Sequence, residues 1–243
     1  MNNKILSIVI PAFNEANFIG ELLGKIERVD LASLGLEKQV IVVNDCSTDQ
    51  TAEIVAEFTD VTLLEHTQNS GKGMAVRTGL NQATGDYLII QDADLEYDPN
   101  DYLGMLAPLL ADDADVVYGS RYMKYPNAGV VKNLLTGKHP AQSWVAYLGG
   151  QSLSFIGLMF TGRFLSDTVT AYKLFKSPII KNLELETTGF ELDHEISAKV
   201  LSGGHRILEV PIAYFPRTVA EGKKIGLSDW FCAIKTFYRF RNG

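Results

Sequence analysis

Apolar residues fall along the first half of the chain in two alternating patterns. Short runs rich in β-branched residues occupy 6–10, 40–43, 61–64, 87–91 and 115–118, which is buried-strand length. Between them the spacing turns helical. Ile19, Leu22, Leu23 and Ile26 share one face within 18–29, and "STDQTAEIVAEF" opens on cap-type residues and continues as a helix. "NSGKGMAVRTGLNQATGD" reads as a glycine-rich turn, a helix and a stop near Gly85. Strands alternating with helices predict an α/β fold, a mostly parallel sheet with helices on both faces. Such sheets bind ligands beyond the carboxyl ends of their strands. Three polar clusters, Asn14-Glu15, Asn44-Asp45 and Asp92-Asp94, stand at those ends.

The second half is less regular. Residues 140–162 carry no charge, but Gln142, Gln151, several serines and Gly149-Gly150 interrupt the apolar run. A membrane span there would separate the acidic residues 92–98 from the basic C-terminal cluster. One or two helices packed on the core, or lying in an interface, are expected instead. In "LSDWFCAIKTFYRFRNG", Trp230, Ile234 and Phe237 form a helical stripe flanked by Phe231 and Tyr238, beside Lys235 and Arg239. That pattern suits an interfacial helix over about 228–241 on an anionic membrane, or a helix docked on the domain.

With 243 residues, 46% hydrophobic, the chain suits one sizeable domain or a domain with an appended lobe. A net charge of −7 argues against a general nucleic-acid binder. The charge is uneven: from Arg217 onward basic residues outnumber acidic ones, so one surface of an acidic body can meet anions. Cys46 and Cys232, the only cysteines, make neither a disulfide framework nor a metal cluster and fit a reducing compartment. The opening "MNNKILSIVIPAFNEA" reads better as a first strand than as a signal peptide.

In "IIQDADLEYDP" a buried-looking run is followed by Asp92, Asp94, Glu96 and Asp98 at steps of two. In extended chain these side chains point the same way. Their mutual repulsion calls for a compensating cation, and a divalent metal is the simplest. Gly71-Lys72-Gly73 would let backbone approach a ligand closely, with Lys72 able to meet phosphate. It is not a P-loop, because the spacing and the hydroxyl after the lysine are missing.

The ordered set "SIVIPAFNE", "VVNDCSTDQT", "NSGKGMAVRTGL", "QDADLEYDP" and "GSRY" resembles family 2 glycosyltransferases of the GT-A fold. "DTVTAYKLF", "FELDHEISAKVL" and "EVPIAYFPRTVAEGKKIG" look like the branch that contains dolichyl- and polyprenyl-phosphate sugar transferases. Cys46 stands where the family commonly has glycine, and Ala171 where lipid-phosphate mannosyl transferases often do. The resemblance implies a nucleotide-sugar-binding half at 1–122 and an acceptor-side half at 123–243, within one integrated catalytic domain.

The resemblance also assigns roles. Asp94 is the expected metal ligand and Glu96 the second, with diphosphate oxygens and water completing an all-oxygen shell for Mg²⁺ or Mn²⁺. Asp92 and Ala93 lie on the nucleoside side of the donor. Asn14, Glu15 and Asp45 supply ribose and base contacts, with the Pro11-Ala12 backbone beside the base. Arg121 can clamp the diphosphate. Arg217, Lys223 and Lys224 lie on a segment resembling a loop that closes over the donor and an anionic acceptor. A hydroxyl acceptor would need a base, for which Asp167, Asp193 and Glu195 are candidates. Asp193 and Glu195 equally suit a helix start. His194 shows no metal-ligand spacing.

These readings lead to an inverting transferase that moves a hexose from a nucleotide-diphosphate sugar (UDP- or GDP-linked) to a polyprenyl phosphate. It would sit peripherally on the cytoplasmic membrane face, with a homo-oligomer possible. The alternative acceptor is a saccharide hydroxyl. A binding protein without turnover is disfavoured by the metal pair and the set of cations. A nucleotidyltransferase is disfavoured because "PAFNEA" takes the place of a glycine-rich, basic turn after the first strand.

Overall fold

A computed structural model describes residues 3–123, 144–216 and 227–242. Arg217, Lys223 and Lys224, and with them the expected closing loop, lie outside the described residues.

The first half follows the periodicity closely. Strands β1 (Lys4–Ala12), β2 (Leu36–Asn44), β3 (Val61–Glu65) and β4 (Tyr87–Ile90) are all parallel to their neighbours among themselves. Helices α1 (Ile19–Arg28), α2 (Thr51–Ala56), α3 (Lys72–Gln82) and α4 (Asp101–Leu110) connect them or lead on to β5 (Val116–Ser120). The face of α1 formed by Ile19, Leu22, Leu23 and Ile26 is buried, as its spacing predicts. Leu6, Ile8 and Ile10 enter one core with α1 and α4, whereas Val9 enters the opposite core with α3. Strands covered on both faces need apolar residues at successive positions, which is why they read as continuous runs.

The second half completes the same sheet. It adds α5 (Trp144–Thr161), β6 (Lys173–Lys176), α6 (Ser177–Asn182), α7 (Leu192–Ser202), β7 (Ile207–Pro211) and α8 (Leu227–Arg239). The seven-stranded order is β3-β2-β1-β4-β6-β5-β7. Strand β6 is antiparallel to both β4 and β5, and β7 pairs with β5 in parallel. Neither strand is evident from periodicity. β6 spans four residues with a lysine at each end, and its place in the sheet depends on pairing with strands far away in sequence.

Of the two readings of the C-terminal helix, docking on the domain accounts for its stripe. Phe237 is fully buried, Ala233 and Thr236 are buried beside it, and the indole of Trp230 donates to Ser152 Oγ at 2.8 Å. Most of the stripe expected to meet a membrane therefore packs on α5 and α7. The outward face carries Phe231 (65% exposed) and Tyr238 (55%) with Lys235 and Arg239. On α5, Trp144, Leu148, Phe155 and Met159 are also exposed. Among the described residues no helix is long and apolar enough to cross a membrane.

Candidate active site

The carboxyl ends of β1, β2, β4 and β5 bring together most of the residues singled out above. Pro11 and Ala12 end β1 in register with Val43 and Asn44 of β2. The loops that follow are interlocked. Asn14 is left-handed (φ 57°), and its side-chain oxygen accepts from the Thr48 amide at 2.8 Å. The Glu15 amide donates to Thr51 Oγ1 at 2.9 Å, and its carbonyl accepts from the Phe18 and Ile19 amides that open α1. Cys46, where the family favours glycine, is also left-handed at φ 62°. A side chain there works against the backbone, which accounts for glycine being the usual residue.

Asp45 is buried, and its carboxylate organises the next turn. Oδ1 accepts from the Ser70 amide at 2.9 Å and lies 2.6 Å from His66 Nδ1; Oδ2 accepts from the Gly71 amide at 2.7 Å. His66 Nε2 lies 2.9 Å from Thr78 Oγ1 on α3. His66 is thus a part of the site that its isolated position in the sequence did not signal.

The glycines beside Lys72 serve a different contact from the one expected. A Cβ at Gly71 would lie 2.4 Å from the Thr188 carbonyl oxygen, and one at Gly73 2.7 Å from that of Thr187. What approaches so closely is the protein's own 187–188 backbone. Gly71 also has φ +91°, so it is required on both counts.

Lys72 sits between two carboxylates, 2.7 Å from Asp92 Oδ1 and 2.9 Å from Asp193 Oδ2. Burial works against its charge, but Asp193 and Asp92 outweigh it and raise the ammonium above the ordinary lysine range. Lys173, fully buried on β6, lies 3.9 Å from the other Asp193 oxygen and donates to the Thr170 carbonyl. Burial pulls Lys173 down to about 8. Asp193 is pushed up by burial but held below the usual carboxylate range by Lys72 and Lys173. The sequence signal for Lys173 was a charge inside an apolar run, since a buried charge needs partners.

Arg121, just beyond β5, is held by Asp167 in a fork. Nε donates to Oδ2 at 2.7 Å, Nη2 to Oδ1 at 2.8 Å, and the Arg121 amide to Oδ2 at 3.1 Å. Asp167 is fully buried. Burial opposes the guanidinium charge, and Asp167 more than restores it. Glu195 stands apart from this group. Its oxygens accept from the Glu186 and Thr187 amides, Thr187 Oγ1 and Lys199 Nζ. Burial raises its pKa, but the Lys199 and Thr187 bonds prevail and hold it below the usual glutamate range. Glu195 is a strut for the loop that packs on Gly71 and Gly73, which corrects its candidacy as a base: with four donors on it, no lone pair is left for an acceptor hydroxyl.

After β4, Ala93 is buried, and the Asp92 carbonyl accepts from the Gln91 side chain at 2.9 Å. Asp94 Oδ1 accepts from the Glu96 amide at 3.1 Å across a turn in which Leu95 is left-handed (φ 59°). This turn presents two carboxylates, Asp94 and Glu96, from one short segment. Tyr214 donates to Glu96 Oε2 at 3.1 Å, and the Arg121 guanidinium carbon lies 5.2 Å from the centre of the Tyr214 ring. Among the described residues no group of three or more His, Cys, Asp or Glu could hold a metal by itself. Two carboxylates on one turn fit a hard divalent cation such as Mg²⁺, which commonly takes one or two protein carboxylates and fills its shell with phosphate oxygens and water.

Comparison with known proteins agrees with this geometry. The profile of "Glycosyl transferase family 2" matches residues 7–164. The chain belongs to that family. It is 28% identical over 232 residues to a dolichol-phosphate mannosyltransferase of Pyrococcus furiosus, covering 91% of this chain and 59% of that protein. The chain thus spans little more than half the length of that relative. It is 27% identical over 263 residues to a UDP-N-acetylglucosamine–dolichyl-phosphate N-acetylglucosaminyltransferase of Methanococcus voltae, covering 98% of this chain and 96% of that one. Among solved structures, the glucosyl-3-phosphoglycerate synthase of Mycobacterium tuberculosis, in complex with Mn²⁺, UDP and phosphoglyceric acid, superposes with a TM-score of 0.67. It has 18% identity and covers 98% of this chain and 78% of that one. At that identity the likeness shows a shared fold, a GT-A α/β sheet with its polar edge at the strand ends.

Proposed function

We propose that this domain transfers a hexose from a nucleotide-diphosphate sugar to a polyprenyl phosphate, with inversion at the anomeric carbon. The observation that carries the reading is the state of the three candidate bases. Asp193 is paired with Lys72, Asp167 is engaged by Arg121, and Glu195 is saturated by donors. A saccharide hydroxyl needs a carboxylate to take its proton, whereas a phosphate acceptor is already anionic near neutral pH. The phosphate oxygen attacks the anomeric carbon as the bond to the diphosphate breaks, and the nucleoside diphosphate leaves with the electron pair. A single displacement of this kind inverts the centre, and no protein proton moves. The dolichyl-phosphate acceptors named for two relatives support this acceptor class.

In this reading Pro11, Ala12, Asn14, Glu15 and Asp45 line the nucleoside end, and Asp92 and Ala93 continue that wall. Arg121 holds the diphosphate, oriented by Asp167. Lys72 supplies a second positive charge between the donor wall and the acceptor-side helix α7. Asp94 and Glu96 would hold Mg²⁺ or Mn²⁺, which supplies Lewis-acid stabilisation of the leaving diphosphate; the neighbour crystallised with Mn²⁺ and UDP supports that choice. Arg217, Lys223 and Lys224 would close over the anionic acceptor and exclude water.

Contact with a membrane follows from the acceptor and from the exposed apolar residues of α5 and α8. Lys235 stands on that face, and Arg239 is shared with Glu186 at 2.5 Å. Each basic residue near an anionic surface contributes on the order of 1 kcal/mol and is screened by salt.

A donor-by-acceptor screen with radiolabelled UDP- and GDP-hexoses tests the reading, using short polyprenyl phosphates and free saccharides in parallel. Label on the lipid phosphate with inverted anomeric configuration is expected. Label on saccharides alone would overturn it.

A further inference from the structure

Arg121 is aimed by Asp167, but something must hold Asp167 still. A buried carboxylate on an irregular stretch between α5 and β6 is otherwise free to follow the guanidinium. The sheet provides the support. Strand β7 pairs with β5 so that Glu209 stands opposite Tyr118, three residues before Arg121. From there its carboxylate reaches the turn that carries Asp167. Oε2 accepts from the Ser166 amide at 2.8 Å, and Oε1 accepts from Ser166 Oγ at 2.8 Å and from the Asp167 amide at 3.0 Å. Ser166 Oγ also lies 2.7 Å from Ser120 Oγ, the residue next to Arg121, and Ser120 Oγ accepts from the Tyr122 amide at 3.2 Å.

We propose that Glu209 is a positioning residue for the donor diphosphate, acting through Ser166 and Asp167 on Arg121. The inference rests on the reading of Arg121 as the diphosphate clamp. Glu209 bonds to the Asp167 amide and leaves the Asp167 side chain to Arg121. It therefore fixes where the fork is rather than competing for it. A second carboxylate beside Asp167 is electrostatically unfavourable, and burial together with Asp167 pushes the pKa of Glu209 up. A neutral side chain would suffice if the only task were to close the edge of the sheet. Three backbone and hydroxyl donors converging on one carboxylate hold the turn more tightly than an amide can.

Glu209→Gln keeps the shape but turns one oxygen into a donor facing donors. The experiment is calorimetric binding of UDP and of GDP to the intact protein with magnesium present, for Glu209→Gln, Arg121→Ala and the double variant, with melting temperatures alongside. Glu209→Gln is expected to weaken binding of the preferred nucleotide by ~10-fold, while the double variant binds no worse than Arg121→Ala alone, because both act on one contact. Multiplied losses in the double variant would overturn the proposal, as would unchanged binding in Glu209→Gln when Arg121→Ala is weakened. Normal binding by Arg121→Ala would instead remove the clamp reading, and the proposal with it. If Glu209→Gln does not fold, Ser166→Ala in the same cycle reads the same linkage. It should lose ~3-fold and again show no added loss on Arg121→Ala. Full affinity or an additive loss there overturns the proposal.

Discussion

The two halves of the site are held together in different ways. On the donor side, between β1 and β3, loops are fixed by short polar side chains bonding to nearby backbone: Asn14 to Thr48, Asp49 to Ala16, Asp45 to Ser70 and Gly71. Toward the ends of β4 and β5, charged groups hold one another across long stretches of chain. Lys72 meets Asp193 and Arg121 meets Asp167. The first arrangement builds a rigid rim one bond at a time, and losing one bond leaves small residual charge. The second buries ions whose partners cannot be removed singly without leaving a charge stranded in a poor solvent. The donor rim should therefore be tolerant and the charged floor brittle.

The largest expected effect falls on the proposed metal-holding carboxylates. Asp94→Asn should reduce transfer on the order of 100-fold or more with melting close to wild type, because the side chain's structural bond to the Glu96 amide survives in asparagine. Near-full, metal-dependent transfer by this variant would break the assignment.

Next comes the comparison itself. Asp167→Asn strands the partly buried Arg121 guanidinium and should destabilise the fold by roughly 3 kcal/mol. Asp45→Asn loses a share of bonds to neutral backbone groups and should cost about 1–2 kcal/mol. Paired denaturant melts measure both. Equal losses would remove the distinction between rim and floor.

A smaller effect concerns pH. Burial lowers Lys173 to about 8, below its unfolded value near 10.5. Between those values the unfolded chain holds a proton that the folded one does not, so the contribution of Lys173 to stability rises with pH. The slope is at most about 1.4 kcal/mol per pH unit. Subtracting the stability of Lys173→Met from that of the native protein across pH 7 to 10 should reveal that rise. A flat or falling difference would mean that Lys173 keeps its charge at the floor of the site.

The smallest effect tests the rim. Cys46→Gly relieves a left-handed side chain but adds freedom to the unfolded chain, for a net gain of about 0.5 kcal/mol. A loss instead would show that the Cys46 side chain makes contacts worth more than the strain.

Much of the first half was legible in the sequence because its information is local. A strand buried on both faces must be apolar throughout, a helix on the core must repeat at 3.6 residues, and polar residues at strand ends must gather on one edge of a parallel sheet. The carboxylates at 92–98, the ends of β1 and β2 and the buried face of α1 all follow from such rules. Tertiary structure decided what depends on distant partners. β6 enters between β4 and β5 although neither is near it in sequence. Glu195 became a strut and the Trp230–Phe237 stripe a docking face because of what lies across from them. Gly71 and Gly73 yield to a backbone more than a hundred residues away. Asp193 and Asp167, plausible bases by residue type, are paired because Lys72 and Arg121 arrive from other strand ends. The spacing of residues along a chain records which face each side chain takes. Which charge it meets there is set only when the sheet has closed around it.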